Sequence, residues 1–210
     1  MMRREGRETA IAGIGATEFS KRSGRSELQL AAEAVKAACD GAGLAPAYID
    51  GLITFSLDPS DEVGLIRCLG IRDLAFTTRI PGGGAASVAT VAQASAAVAS
   101  GAADVVVCWR AMNERSEYRF GQPQAGGMFA PGSGTSSLLW CMPFGAQTPG
   151  SWAALGARAY MDAYGATNED FGRLSVVQRA YASKNPAPWF DDKPITLADH
   201  QASRWIVEPV

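Results

Sequence analysis

The chain has 210 residues, of which 47% are hydrophobic and 19% are charged, and its formal net charge is -2. This composition is typical of a globular protein with a sizeable core, and the charge excludes sequence-independent binding to nucleic acid, which needs a basic face. No stretch approaches the roughly 20 apolar residues that cross a bilayer, and the start MMRREGRETA does not resemble a signal peptide. The sequence therefore predicts a cytoplasmic protein that acts on small molecules.

Cysteine and histidine are too sparse in the sequence for a metal site. The four cysteines are widely spaced without a C-x-x-C pair, and His200 is the one histidine of the chain, so a structural zinc site is not expected. Cys39, Cys68 and Cys108 follow apolar stretches and are predicted to be buried free thiols. His200 is predicted to have a surface or capping role.

The N-terminal region begins with a strand-like and then a helix-like pattern. The apolar run at residues 8–14 predicts a buried strand. Ser26 and Gln29 have the spacing of a capping box, so a helix is predicted to begin there. Gly41 and Gly43 are predicted to end it.

The alternation of strands and helices continues up to residue 109. Three strands and two helices are predicted in the order strand, helix, strand, helix, strand: 51–55, 61–69, 74–80, 84–100 and 104–109. Such alternation implies βαβ crossovers and a mixed or parallel sheet covered on both faces, which is an α/β fold. The helix at 84–100 is built almost wholly from small apolar residues, so it is predicted to be buried on all sides between two layers.

Residues 110–150 lose this periodicity and are rich in Gly, Pro, Ser and Gln. A structureless stretch of that length is uncommon unless it is functional, so it is interpreted as an active-site or subunit-contact loop region. Helices are predicted at 151–165 and 168–184, and a short one after Thr196. The predicted domains are 1–112, a βαβ half, and 113–210, a loop and helical region.

Two glycine clusters invite a nucleotide-binding interpretation, and neither fits one. Gly82, Gly83 and Gly84 precede a helix, whose first N–H groups favour an anion, but the pattern lacks the lysine of a P-loop. Gly13 and Gly15 match the first two glycines of a dinucleotide fingerprint, but an acidic residue, not glycine, takes the third position. A phosphate-binding fold is therefore not predicted.

Four segments of the chain resemble the thiolase superfamily, in its lipid-transfer, sterol-carrier-type branch: IAGIGATEFSKRSGRS, GGGAASVATVAQASAAVASGAADVVV, RAMNERS and SRWIVEP. They are most similar to the actinobacterial thiolase-like aldolases of steroid side-chain degradation. The resemblance implies a layered α-β-α-β-α fold, of which this chain covers mainly the N-terminal half and the loop region. The C-terminal half of that fold is then missing from the 210 residues.

The resemblance places Gly84 where thiolases carry the nucleophilic cysteine, or Gly83 if the register slips by one. Covalent acyl transfer by the family route then has no nucleophile. A retro-aldol cleavage needs none, since it needs a base and stabilisation of a thioester enolate. The alternative interpretation is that Gly84 only allows tight packing in a non-catalytic subunit.

The candidate substrate-binding residues are Gly83, Gly84, Asn113 and Arg115. Asn113 and Arg115 follow the strand at 104–109, where loops at the carboxyl ends of strands contact ligands in open α/β sheets. Asn113 is predicted to face the substrate, and Arg115 to meet a CoA phosphate or an acidic neighbour. No catalytic residue is assigned, because the family's acid–base residues are expected beyond Val210.

By this resemblance the chain is an enzyme, an aldolase that cleaves the side chain of a steroid β-hydroxyacyl-CoA to a ketosteroid and propionyl-CoA. The alternatives are a thiolase-type acyl-CoA acyltransferase and a non-catalytic lipid or acyl-CoA-binding scaffold subunit. No cofactor is expected in this chain, and CoA enters as part of the substrate thioester. The implied partners are a second copy, contacted through the strand at 74–80, and a small OB-fold, zinc-ribbon protein.

Overall fold

The computed structural model of the chain describes residues 8–56, 60–82, 84–113, 116, 140, 142–146, 148–186 and 190–209. These residues belong to two compact units, Met1–Arg119 and Phe120–Val210. Across the described ranges, no helix has both the length and the apolar character that a membrane span requires. The predicted domains are 1–112, a thiolase-like half, and 113–210, a loop and helical region. Their contribution to a larger fold stays a prediction.

The first unit contains a parallel sheet of three strands, which confirms the α/β prediction. The strands are β1 (Gly51–Phe55), β2 (Phe76–Ile80) and β3 (Val106–Cys108), and their order is β2-β1-β3. Every residue of β1 is buried. The predicted strand at 51–55 is therefore confirmed with its bounds, whereas β2 and β3 are shorter than the predicted 74–80 and 104–109.

Asp50 joins all three strands at their amino ends. Its carboxylate accepts hydrogen bonds from the backbone N–H groups of Asp104, at 2.9 Å, and Val105, at 2.8 Å. Its carbonyl accepts from Ala75 and Phe76, at 2.8 and 3.0 Å, and its own N–H donates to the Val105 carbonyl at 3.1 Å. β3 is shortened because the chain on its amino side bonds to this residue instead of extending the strand ladder.

Two capped helices precede and follow β1. Helix α1 (Glu27–Ala42) begins at Ser26, whose hydroxyl accepts from the Gln29 N–H, and ends at Gly43 in the left-handed region. Helix α2 (Glu62–Leu69) begins at Asp61, whose carboxylate accepts from two backbone N–H groups, and ends before Gly70. The predicted ends are confirmed, except that Gly41 lies inside α1.

The main core lies where α1 and α2 pack together on one face of the sheet. It consists of buried residues from α1, β1 and α2, from the chain next to β1 and α2, and from the chain after β3: Leu30, Ala31, Val35, Cys39, Ile49, Leu52, Leu65, Leu69, Ile71, Trp109 and Ala111. Side chains alternate between the faces of a strand, so Ile53 and Phe55 lie on the opposite face, and both are buried. β1 is therefore covered on both faces.

Helix α3 (Ala86–Ser100) lies against all three strands, but the prediction that it is buried on all sides is wrong. Its buried residues are Ala86, Thr90 and Ala97, whereas Val88 is 73% exposed and Val91 is 46% exposed. The sheet covers one side of α3. Within the described part of the chain, no second layer lies over the other side.

The prediction of a buried strand at residues 8–14 is also wrong. The described part of this segment forms no strand, and Ile11 and Ile14 are exposed. A strand needs a neighbour for its backbone hydrogen bonds, and this segment instead runs along α1. A Cβ added at Gly13 would lie 2.1 Å from the Ala38 carbonyl oxygen, so packing, and not a nucleotide cradle, accounts for this glycine.

The second unit is helical. A 3₁₀ turn (Met142–Phe144) precedes helices α4 (Pro149–Tyr164), α5 (Asn168–Ala182) and α6 (Leu197–Gln201), so the three predicted helices are confirmed with slightly different bounds. Thr167 donates from its N–H and its hydroxyl to the Asp170 carboxylate, both at 2.8 Å, and so caps the amino end of α5. His200 is half-buried, and it lies against Gly172, where an added Cβ would be 2.9 Å from its Nδ1.

We predict that Gly15→Ala destabilises the protein. A Cβ at this position would lie 2.0 Å from the Ala34 carbonyl oxygen and 2.5 Å from the Ala38 nitrogen, and overpacking of this kind costs about 1–3 kcal/mol or more. Gly41→Ala is the matched control, because the nearest atom would be 4.0 Å away and alanine in a helix is favoured by up to about 1 kcal/mol. Urea unfolding measures both, and equal midpoints would contradict the packing argument.

Candidate active site

The carboxyl ends of the three parallel strands form the candidate active site. In open α/β sheets, ligands bind outside these ends. Ser56 follows β1, the turn that contains Gly82 and Gly84 follows β2, and Trp109 to Asn113 follow β3. Because β1 lies between β2 and β3, these three segments lie at the same edge of the sheet.

Gly84 lies in this turn beside open space. A Cβ added there would meet no described atom within 4 Å, and Gly84 is not among the glycines with positive φ. Neither packing among the described residues nor backbone conformation therefore requires glycine at this position. Gly83, the other candidate for the cysteine position, lies outside the described residues.

The amino end of α3 lies next to Gly84 and has no side-chain cap. The Ser87 hydroxyl donates to the Gly84 carbonyl at 2.7 Å, and the Thr90 hydroxyl donates to the Ser87 carbonyl at 2.6 Å. The backbone N–H groups of Ser87 and Val88 donate to the carbonyls of Gly84 and Ala85, both at 3.2 Å, so bonds within the turn already use these two first-turn N–H groups. The positive end of the helix dipole at this place favours developing negative charge.

Asn113 lies in the chain after β3 and is 5% exposed. Its side-chain Nδ2 donates to the Arg25 carbonyl, and its Oδ1 accepts from the Ser23 hydroxyl at 3.2 Å. The hydrogen bonds of Asn113 thus connect the loop before α1 to the chain after β3. Its predicted contact with substrate stays a prediction, and Arg115 lies outside the described residues.

Arg25 itself is held by acidic neighbours. Its guanidinium forms ion pairs with Glu18 and Glu33, and its side chain is 19% exposed. Glu18 is the acidic residue that occupies the third position of the glycine pattern at Gly13 and Gly15. Its carboxylate stabilises the partly buried cation of the residue whose carbonyl bonds to Asn113, which is a structural use that the sequence pattern did not indicate.

A buried polar cluster fixes the ends of β1 and β3. The Thr54 hydroxyl donates to the Trp109 carbonyl at 3.0 Å, and the Trp109 indole N–H donates to the Ser60 hydroxyl at 2.9 Å. Thr54, Ser60 and Trp109 are all buried. Beyond them, the Arg110 guanidinium lies 5.5 Å from the centre of the Phe55 ring, so the start of the loop after β3 has a defined position.

Arg79 connects the end of β2 to α2. Its Nε donates to the Glu62 carboxylate at 2.8 Å, and its Nη2 donates to the Ser60 carbonyl at 2.8 Å. Burial by itself raises the pKa of the Glu62 carboxyl, but the hydrogen bond and positive charge of Arg79, with a backbone hydrogen bond, outweigh burial, and the pKa lies below its ordinary value. Glu62 is therefore an ionised structural partner at neutral pH.

Ser56 is a residue at this edge that the sequence analysis missed. Its hydroxyl donates to the Gly82 carbonyl at 2.9 Å and accepts from the Gly82 N–H at 3.1 Å. The available signal was a polar residue directly after a buried strand of an α/β fold. The partner in the turn is 26 residues away in sequence, so the contact itself had no local signal.

The described cysteines provide no activated thiol at this edge. Burial raises the pKa of the Cys108 thiol, and a hydrogen bond with Thr90 lowers it only in part, so the thiolate that attacks an acyl group is disfavoured. Cys39 is buried, as predicted, whereas Cys68 is exposed and Cys108 is partly buried. The prediction was wrong for Cys68 because its side of α2 lies outside the core. No group of three or more potential metal ligands occurs among the described residues.

The second unit has a cleft of its own. It has a volume of about 380 Å³ and is lined mainly by apolar residues together with one arginine and one glutamate: Phe144, Gly145, Ala146, Ser151, Ala154, Leu155, Arg158, Val207 and Glu208. None of the predicted substrate-binding residues lines it. The candidate site is therefore taken to be the edge of the sheet in the first unit.

The described residues define an α/β chain, and its parallel sheet is consistent with the thiolase-like fold that the resemblance predicts. A steroid side-chain-cleaving aldolase of Thermomonospora curvata is 57% identical to it over 201 residues, which are 96% of this chain and 51% of that protein. A 17-hydroxy-3-oxo-4-pregnene-20-carboxyl-CoA lyase of Mycobacterium tuberculosis is 51% identical over 203 residues, which are 97% of this chain and 53% of that protein. The predicted resemblance to the thiolase-like steroid aldolases is confirmed.

Structural and more distant comparisons agree with this result. A solved structure described as Ltp2-ChsH2(DUF35) aldolase matches with a TM-score of 0.80 and 55% identity, over 96% of this chain and 50% of that chain. An acetyl-CoA acetyltransferase of Methanocaldococcus jannaschii is 29% identical over 211 residues, which are 97% of this chain and 51% of that protein. No protein-family model matches the chain. The chain spans about half the length of the relatives that it matches.

We predict that Glu62→Gln makes the free energy of unfolding depend less on pH in the acidic range. The folded pKa of Glu62 lies below its unfolded value of about 4.3, so its stabilising effect is present above that value and is lost as the pH falls through the folded pKa. The difference in free energy of unfolding between wild type and variant is therefore expected at neutral pH and should disappear in acid.

Urea unfolding of both proteins from about pH 7 to about pH 3 measures this difference. Glu8→Gln is the control, because Glu8 is exposed and its replacement should leave the acid dependence unchanged. A difference that stays constant with pH would show that Glu62 acts through packing and not through its charge.

Proposed function

We propose that the chain is part of a retro-aldol lyase that cleaves the side chain of a steroid β-hydroxyacyl-CoA. The observation that carries the proposal is the 57% and 51% identity, over nearly the whole chain, to proteins named as a steroid side-chain-cleaving aldolase and a 17-hydroxy-3-oxo-4-pregnene-20-carboxyl-CoA lyase. Glycine with open space at position 84 supports it. The substrate and products of the complete protein are part of this proposal.

The proposed reaction breaks the bond between the hydroxyl-bearing ring carbon and the carbon next to the thioester. A base removes the hydroxyl proton, the oxygen becomes the ketone of a ketosteroid, and the electron pair of the broken bond moves into a thioester enolate. Protonation of that enolate gives propionyl-CoA. The reaction consumes no free CoA and forms no bond to the protein, so it needs a base and enolate stabilisation and no nucleophile.

The turn at Gly84 fits the enolate part of this reaction. The positive end of the α3 dipole favours an oxygen that gains negative charge. The open space at Gly84 accommodates a branched carbon where a cysteine side chain would stand. The acid–base residues are proposed to lie outside these 210 residues.

The thiolase-type acyltransferase is the enzymatic alternative, and the relative named acetyl-CoA acetyltransferase is the observation that favours it. This reaction requires a thiolate near the amino end of α3. Cys108 lies nearby through its hydrogen bond with Thr90, but burial raises the pKa of its thiol. The aldolase therefore fits the described residues better, and a non-catalytic acyl-CoA-binding scaffold remains the outcome if no turnover occurs.

We further propose that the protein works as a dimer together with a small OB-fold, zinc-ribbon partner. The solved structure whose description names Ltp2 and ChsH2(DUF35) together supports a partner protein. The position of β2 at an edge of the described sheet supports pairing with a second copy, because an edge strand has unpaired backbone groups. A cytoplasmic location is proposed because the substrate is a CoA thioester.

The aldolase proposal predicts that the protein, with its partner, converts a 17-hydroxylated steroid β-hydroxyacyl-CoA to equal amounts of ketosteroid and propionyl-CoA without added CoA. Chromatography with mass detection measures both products. The analogue without the 17-hydroxyl is the control, since it has no proton for the base to remove. Products that form only with free CoA would favour the acyltransferase, and binding without turnover would favour the scaffold.

The dimer proposal predicts that Thr77→Pro disrupts self-association. The Phe76 N–H and the Ile80 carbonyl both bond towards β1, and alternate residues of a parallel strand bond to opposite neighbours. The Thr77 N–H therefore faces the free edge, so proline removes an edge donor without breaking a bond to β1. Sedimentation should give a monomer for Thr77→Pro and a dimer for the control Thr77→Ala, and a dimer in both would contradict this interface.

A further inference from the structure

Ser56, which is not part of the turn that contains Gly84, forms hydrogen bonds to the start of that turn. Its hydroxyl both donates to and accepts from the backbone of Gly82, at 2.9 and 3.1 Å. Its backbone N–H donates to the Ile80 carbonyl at 3.0 Å. Three hydrogen bonds thus connect the residue after the central strand to the end of β2 and the start of the turn, although Ser56 is itself exposed.

On the helix side of the turn, Ser87 donates from its hydroxyl and its N–H to the Gly84 carbonyl, at 2.7 and 3.2 Å, and on the strand side the contact with Ser56 has the same role. Gly82 has a φ of 140°, which is open to glycine and disfavoured for residues with a side chain. Helix α3, which begins shortly after, has no side-chain cap. A rotation at Gly82 therefore changes the direction in which the chain leaves β2 towards Gly84, unless the hydroxyl of Ser56 fixes both polar groups of Gly82.

We propose that Ser56 is a positioning residue for the thioester end of the substrate, acting through Gly82. This inference rests on the proposed retro-aldol function and adds a residue to it. Ser56 keeps the start of the turn that contains Gly84 directed at the place where the enolate oxygen develops. Binding of the steroid and CoA parts does not depend on this direction, so its loss affects kcat more than KM, and a displacement of about 1 Å can cost about 10²-fold.

The test compares Ser56→Thr, which keeps the hydroxyl, with Ser56→Val, which has nearly the same shape without it, and with Ser56→Ala. In the assembled protein with its partner, we expect kcat to fall about 10-fold or more for Val and Ala with KM nearly unchanged, and Thr to retain most of the activity. Ser100→Ala is the control. This variant also removes a hydrogen bond from a serine hydroxyl to a backbone carbonyl, that of Ala97 at 3.0 Å, but at the opposite end of α3.

Amide hydrogen exchange of the peptide that spans the turn gives a measurement that needs no turnover. Ser56→Ala and Ser56→Val should speed exchange at Gly82 and the first turn of α3, and Ser56→Thr should not. Unchanged exchange, or equal kcat for Val and Thr, overturns the positioning role alone. Absence of turnover by the wild-type protein overturns the proposed function, and the catalytic role of Ser56 falls with it.

Discussion

The register of the three strands is set by the hydrogen bonds of Asp50, and the rest of the first unit depends on that register. One residue bonds to the chain before β2 through its carbonyl and to the chain before β3 through its carboxylate and its N–H. A strand that slips by one residue turns every side chain to the other face. Fixing the amino ends therefore also fixes which residues emerge at the carboxyl ends, where Ser56, the Gly84 turn and Trp109 lie.

The site edge is built by contacts that each hold one emerging segment. Ser56 bonds to the turn after β2, and Thr54 and Ser60 bond to the two ends of Trp109. Asn113 extends this support to the loop before α1. The polar residues at this edge therefore hold backbone segments in position, and the chemistry proposed here uses the helix dipole and open space more than reactive side chains.

Elements with local signals were predictable from the sequence. Helix ends are marked by capping residues that act within a few positions, namely Ser26, Asp61, Gly43 and Gly70. The short, mainly apolar run of β1 likewise predicts a buried strand. The prediction of a strand at residues 8–14 was wrong because a strand forms only beside a partner strand, and a local sequence pattern does not show whether a partner is present. The predicted burial of α3 was wrong for a related reason, because composition shows that a helix is apolar but not which elements cover it.

For the candidate site, the sequence predicted that Gly84 lies between a strand and a helix and that Asn113 follows a strand, and the structure has both. Their contact with substrate stays a prediction. The sequence did not predict that the Asn113 amide bonds to residues 88 and 90 positions away, nor that Ser56 bonds to Gly82. Gly13 and Gly15 show the same limit. Their spacing resembles part of a nucleotide motif, whereas the structure shows two places where α1 leaves no room for a side chain.

The central position of β1 also has a consequence during synthesis of the chain. Both of its neighbours come later in sequence, and the contact of Asp50 with Val105 spans 55 residues. At the usual 5–20 residues per second, the ribosome needs about 3–11 s to make that stretch. During that time β1 is an apolar segment with an open edge, and α1, which is already complete and shares its core, is the surface available to shield it from aggregation.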